Sequence, residues 1–174
     1  TDSNTAPTAL DDNYTLNENA TVSRNASNGV IQSNDTDAQS DALTISSFQT
    51  STVDDPASVI GAFNVPLDGS YGQLTLLNNG SFDYIANRAA ADALAAGETV
   101  VDTFSYTISD GKLTSAAEID FAVNGINDAP ILVDAIKTKK YTEGQSNVTV
   151  IDGSLSIRDV DDTNIESATV AVTG

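Results

Sequence analysis

The sequence predicts an all-β chain folded as a Greek-key β-sandwich with one short crossover helix. Three observations carry that prediction. The acidic residues are lopsided, 20 Asp against 5 Glu. With abundant Asn, Ser and Thr they favour turns over helix interiors, because short polar side chains compete for backbone hydrogen bonds. Apolar residues fall in short runs bounded by Gly, Asn, Asp or Pro, several alternating with period two, which marks strands with one face on a core. A single Ala-rich segment breaks the pattern.

Taken in order, the runs at 14–16, 42–48, 59–63, 73–77, 81–85, 100–109 and 117–123 read as strands. In the sixth, Phe104, Tyr106 and Ile108 alternate with hydroxyl residues, so one face meets a core and the other meets water. Leu43 with Ile45, and Ile119 with Phe121 and Val123, repeat that alternation. Asn78, Asn79 and Gly80 sit between two runs as a tight hairpin connection. Residues 88–96 read as a helix of about two turns, with Asn87 placed to cap its start and Gly97 to stop it. Its role is to cross from one sheet to the other, as Greek-key connections require.

Composition excludes several functions. The 174 residues hold 25 acidic and 7 basic side chains, a net charge of −18, and nucleic acid needs a basic face, so no nucleic-acid partner is expected. There is no Cys and no His. Disulfides, the usual zinc ligand sets, thiol nucleophiles and Ser–His arrangements are thereby removed. The adjacent carboxylates Asp11 and Asp12 are poorly arranged as an acid–base pair, because neighbours on a strand point to opposite faces. No enzyme activity is expected. No stretch approaches the roughly 20 apolar residues of a membrane helix, and the first residues lack the basic-then-apolar pattern of a signal peptide. No membrane insertion is expected. The one basic cluster, Lys137, Lys139 and Lys140, reads as a solvated strand edge.

The chain repeats itself. Asn4-Thr5-Ala6-Pro7 recurs as Asn127-Asp128-Ala129-Pro130; Tyr14, Thr15 and Glu18 are echoed by Tyr141, Thr142 and Glu143; Asp35-Thr36-Asp37 returns as Asp159-Val160-Asp161. The offsets are 123 for the first, 127 for Tyr-Thr and 125 for Glu in the second, and 124 for the third. Residues 1–127 then form one complete unit, and 128–174 a linker and the incomplete start of a second. A sandwich of this kind takes about 100 residues, so the second stretch cannot close one alone.

Hard cations such as calcium take about 6–8 oxygen ligands from Asp, Glu, Asn and carbonyls in loops that wrap them. The candidates are expected in loops: Asp11 and Asp12, Glu18, Asp35 and Asp37, Asp102 and Asp110, Asn127 and Asp128, Glu143, and Asp159, Asp161 and Asp162. An EF-hand is ruled out, since its glycine and glutamate positions fall on Ser40 and Ser46 from Asp35, and on Asn164 and Val170 from Asp159. No glycine-rich nonapeptide β-roll occurs either.

Glu18-Asn19-Ala20, then Asp35-Thr36-Asp37, then V-N-G-I-N-D-A-P over 123–130 resemble the cadherin-like repeat of large bacterial surface proteins. The stretches G-Q-L-T-L-L-N-N-G-S-F-D-Y-I-A-N over 72–87 and D-T-F-S-Y-T-I-S-D-G over 102–111 resemble VCBS repeats, which recur in tandem in RTX-type adhesins. The resemblance spans about residues 4–130. It implies a calcium ion, Ca2+, between consecutive units. Carried over by position, its ligands are Glu18, Asn127, Asp128, Asp159 and Asp161, with Asp35 and Asp37 exposed at the upstream end; apart from the resemblance, the loop at Asp102 or Asp110 is a further candidate. Thr5 stands upstream where Asp128 stands downstream, so the leading linker lacks one carboxylate.

The function so implied is that of a non-catalytic, calcium-stiffened extender of an extracellular or bacterial cell-surface adhesin, with neighbouring repeats of the same chain as its partners. At −18 its carboxylates repel one another, and a cation would fix them to a common centre. The alternative is a calcium-dependent module binding a host or surface glycan or protein, in which Tyr71, Tyr84 and Tyr106 could stack on a sugar.

Overall fold

The computed structural model describes residues 3–50, 58–133, 156–162, 164, 165, 167 and 169. The chain divides into two compact units, Thr1–Ile126 and Asn127–Gly174.

The first unit holds β1 (Asp12–Asn17), β2 (Thr21–Arg24), α1 (Val30–Asn34), β3 (Thr44–Thr50), β4 (Leu67–Asp68), β5 (Gln73–Leu76), β6 (Phe82–Ile85), α2 (Ala89–Asp92), β7 (Thr99–Ser109) and β8 (Thr114–Asn124). Two four-stranded sheets form a sandwich, one in the order β1-β8-β7-β3 and the other β2-β6-β5-β4. All pairings in these sheets are antiparallel except β1 with β8, which run parallel from Asp12 opposite Ile119 to Asn17 opposite Asn124. Both helices lie where the chain passes from the second sheet to the first.

The period-two rows meet between the sheets. Phe104, Tyr106 and Ile108 of β7 and Ile119, Phe121 and Val123 of β8 are buried, facing Leu74, Leu76, Phe82 and Tyr84 of the second sheet. The Tyr84 and Phe121 rings stack across the interface, centroids 3.8 Å apart and 4° from parallel. Burying an aromatic side chain of this size contributes about 2–3 kcal/mol, so this row is the main source of cohesion between the sheets.

The 78–80 connection joins β5 to β6 as expected: Leu77 and Ser81 flank it with a backbone bond of 2.9 Å, and Gly80 takes φ +84. Other elements differ from expectation. The 88–96 helix shrinks to the single turn of α2, whose N-cap is Arg88 without a side-chain cap; Asn87 donates instead to Gln73 Oε1 at 3.2 Å. A second short helix, α1, buries Val30 and Ile31, where no periodic pattern is long enough to announce a helix. The run at 59–63 is no strand. It meets β3 through an isolated bridge from Ile60 to Gln49, hydrogen bonds between Val59 and Thr50, and the Phe63 ring 5.7 Å from that of Phe48, but it forms no ladder, and Ile60 is 74% exposed. β2 and β4, both very short, were not expected.

In the second unit, β9 (Ile131–Val133) pairs antiparallel with β10 (Ser156–Arg158). Glu143 and Lys137, Lys139 and Lys140 lie outside the described residues.

Candidate functional site

Acidic groups gather at both ends of the first unit. Where the chain leaves it, the parallel pairing continues one residue past β1, with the Glu18 N–H donating to the Asn124 carbonyl at 2.9 Å. That places the Glu18 carboxylate, only 2% exposed, under the departing backbone, and Ile126 N–H donates to its Oε1 at 2.6 Å.

Where the chain enters, Thr8 and Thr36 form a two-bond antiparallel bridge that holds Asp35 and Asp37 beside the incoming segment. The two carboxylates engage different partners. Asp37 Oδ1 accepts from the N–H groups of Gln39 and Asp41 at 2.8 and 3.0 Å, while its Oδ2 is buried with no donor. Asp35 Oδ1 accepts from Leu10 N–H at 2.9 Å, and the Tyr106 hydroxyl lies 3.3 Å from its Oδ2. Burial, helped by the negative charge of Asp12, pushes the Asp35 carboxyl up to about 6 against the opposing pull of the Leu10 hydrogen bond.

Asp110 closes the turn from β7 to β8. Its Oδ1 accepts from the N–H groups of Leu113 and Lys112, both at 2.7 Å, and its Oδ2 accepts from Asn4 Nδ2 at 2.9 Å. These bonds, led by that from Leu113, hold its carboxyl below the usual range. Both oxygens are already used in bracing the turn and tethering Asn4.

In the second unit, Asp128, Asp159 and Asp161 are linked by hydrogen bonds. Asp128 N–H donates to Asp161 Oδ2 at 3.3 Å, and Asp162 N–H to Asp159 Oδ1 at 3.3 Å. Asn127, exposed, donates through Nδ2 to the carbonyl of Asp128 at 2.6 Å. The Asp159 carboxyl is raised, chiefly because it shares a hydrogen bond with that of Asp161. Asp128 Oδ2 and Asp161 Oδ1 are buried without a donor. Two buried carboxylate oxygens lacking donors, beside the carboxylate of Asp159, are the kind of oxygen ligands a hard cation takes. Among the described residues no group of three or more acidic side chains could hold a metal ion by itself.

Two of the acidic residues expected in loops sit on strands instead. Asp12 begins β1 and Asp102 lies within β7, and both are buried. Asp102 receives N–H bonds from Ser70, Tyr71 and Gly72 at 2.9, 3.1 and 2.9 Å, and the Tyr84 hydroxyl at 2.8 Å. The backbone turn wraps it so closely that a Cβ at Gly69 would lie 2.4 Å from Asp102 Oδ2. Asp102 is thus a brace between the sheets. The signal was available, since residue 102 continues the inward row of 104, 106 and 108. Asp12 accepts from Ser33 Oγ and, at 2.9 Å, from the Tyr106 hydroxyl, and burial raises its carboxyl. Asp11, its neighbour, is exposed and accepts from Glu118 N–H. Tyr84 and Tyr106 are core residues, 0% and 1% exposed, so neither offers a ring to a sugar.

A comparison with proteins of curated function returns no match. A family model described as the bacterial cadherin-like domain matches residues 4–125, the whole of the two-sheet unit from its entry bridge to the end of β8. With its two sheets, its parallel first and last strands and this match, the chain belongs to the bacterial cadherin-like domain family.

Proposed function

We propose that this chain is a non-catalytic, calcium-stiffened extender and adhesion repeat of a large bacterial surface or secreted adhesin, working outside the cell with neighbouring repeats of the same chain as its partners. The observation that carries this reading is the parallel pairing of β1 with β8. With first and last strands parallel, the chain enters the first unit at one end and leaves at the other, as a link in a string must. The proposed calcium ligands are the carboxylates of Asp128, Asp159 and Asp161 in the second unit and of Glu18, Asp35 and Asp37 in the first. With 25 acidic side chains against 7 basic, carboxylates that neighbour one another, such as those of Asp159 and Asp161, repel, and a cation would fix them.

Thermal unfolding of the whole chain in EDTA, in millimolar magnesium and in millimolar calcium tests the reading. Calcium at about 100 times its dissociation constant adds roughly 2.7 kcal/mol if it binds only the folded form. The expected result is a rise of several degrees specific to calcium, diminished by Asp128→Ala or Asp161→Ala. Melting indifferent to chelator and calcium would refute calcium stiffening.

A further inference from the structure

One tripeptide recurs through the first half of the chain. Asn followed two places later by Ser or Thr, never with Pro between, occurs at Asn13, Asn19, Asn25, Asn34 and Asn79, and again at Asn147. This is the acceptor pattern for sugar attachment to asparagine. With 15 Asn and 38 Ser or Thr in 174 residues, composition alone yields about three such tripeptides. Frequency is therefore weak support, and conformation has to decide.

Two sites share one conformation. At Asn25 the following serine folds back, and Ser27 N–H and Oγ–H donate to Asn25 Oδ1 at 2.9 and 2.6 Å. At Asn79 the same pair of bonds comes from Ser81, at 3.0 and 2.7 Å. Both asparagines are exposed, and among the described residues neither Nδ2 donates to the protein. The two loops lie together: Val30 N–H donates to Gly80 O at 3.0 Å, and a Cβ at Gly29 would sit 2.0 Å from that oxygen. Both acceptors are thus presented at one end of the sandwich.

The other described sites lack this arrangement. Asn34 uses Nδ2 on the carbonyls of Leu10 and Asp11, at 3.2 and 3.0 Å. Asn19 uses its Nδ2 on Asp92 Oδ1 at 2.9 Å. Asn13 lies within β1, where extended backbone keeps Thr15 from folding back. Asn147 is outside the described residues.

We propose that Asn25 and Asn79 are acceptors for enzymatic N-glycosylation from an activated phosphosugar donor. The two hydrogen bonds onto Oδ1 stabilise the charge that the amide oxygen gains as Nδ2 gives up a proton. Nδ2 forms a bond to the anomeric carbon of the sugar, the bond from that carbon to the donor's phosphate oxygen breaks, and the phosphate leaves with the electron pair. The amide proton passes to a base of the transferase. No oxidant or reductant is needed, and the inference does not depend on calcium.

The folded chain is incubated in one arm with a soluble asparagine glycosyltransferase and UDP-glucose, and in the other with an oligosaccharyltransferase and a lipid-linked oligosaccharide. Peptide mass mapping reads the sites. Sugar is expected on Asn25 and Asn79 in at least one arm, a single hexose or an oligosaccharide identifying the donor, with Asn19 and Asn34 unmodified. Ser27→Ala and Ser81→Ala should each abolish modification at their own site while the melting temperature stays unchanged, which separates lost acceptor geometry from misfolding. Unmodified Asn25 and Asn79 in both arms, sugar on Asn34 as readily as on these two, or modification surviving both serine substitutions would overturn the proposal.

Discussion

Two tyrosine hydroxyls, those of Tyr84 and Tyr106, reach buried or half-buried aspartates, and the aspartates they reach are supplied very differently. Asp102 takes the Tyr84 hydroxyl together with three backbone N–H groups, so one carboxylate has four donors. Asp12 and Asp35 both draw on the single Tyr106 hydroxyl, at 2.9 and 3.3 Å, with Ser33 Oγ and Leu10 N–H as their remaining partners. The carboxyls of both members of that pair are raised by burial. A buried carboxylate is a structural brace where donors are plentiful and a source of stored repulsion where they are shared.

The largest expected effect falls on the well-supplied side. Asp102→Ala strands three N–H groups and a phenol in the core, a loss of about 3–5 kcal/mol by the rule for breaking buried charged networks. Urea denaturation measures it, and a cost below about 1 kcal/mol would mean that water replaces the carboxylate and the contrast fails.

On the crowded side the effect is a pH dependence. Carboxyls raised in the folded state mean that the native protein holds more protons than the unfolded chain between their unfolded value, 3.8, and, for Asp35, about 6. Stability should therefore rise as pH falls through about 6 and stop gaining from these groups below the unfolded value. Asp35→Asn, compared with the parent in EDTA, should flatten that rise and be worth about 1 kcal/mol at pH 7, after discount for its partly exposed edge. Melting temperatures from pH 4.5 to 7.5 check it. An unchanged slope in the variant would remove Asp35 from the account.

The smallest effect belongs to opposite charges left in water. Arg88 and Asp68 approach to 2.9 Å, but their side chains are 39% and 59% exposed, so Arg88→Ala should cost under about 0.5 kcal/mol. A larger loss by the same denaturation assay would show that surface pairing matters more here than donor supply in the core.

The core was largely legible in the sequence, because Phe104, Tyr106 and Ile108 need only period two to declare their face. The 78–80 hairpin was legible from its turn residues. β2 was not, since among Thr21–Arg24 only Val22 is apolar, and four residues cannot establish a period. The 59–63 run misled because Val59 and Ile60 are apolar yet more than half exposed. At the candidate site, spacing drew attention to Asp35, Asp37, Asp159 and Asp161 as an expectation, but not to what holds them. Asp35 answers to Tyr106 across 71 residues of chain, a contact that only the fold creates. Asp12 reads as a loop acid because an inward aspartate is uncommon enough for the 14–16 row to be taken as ending before it, whereas Asp102 falls inside the 100–109 run, whose inward row already speaks against a place in a loop.

The parallel registration of β1 with β8 also has a mechanical side. Tension applied at Asp12 and Asn124, the outer ends of these two strands, pulls them in opposite directions along their own length. All six residue pairs from Asp12–Ile119 to Asn17–Asn124 then carry the load together in shear. In an antiparallel hairpin pulled from its open end the bonds break one after another. A unit fastened in this way resists stretching with its whole seam at once, whatever its equilibrium stability.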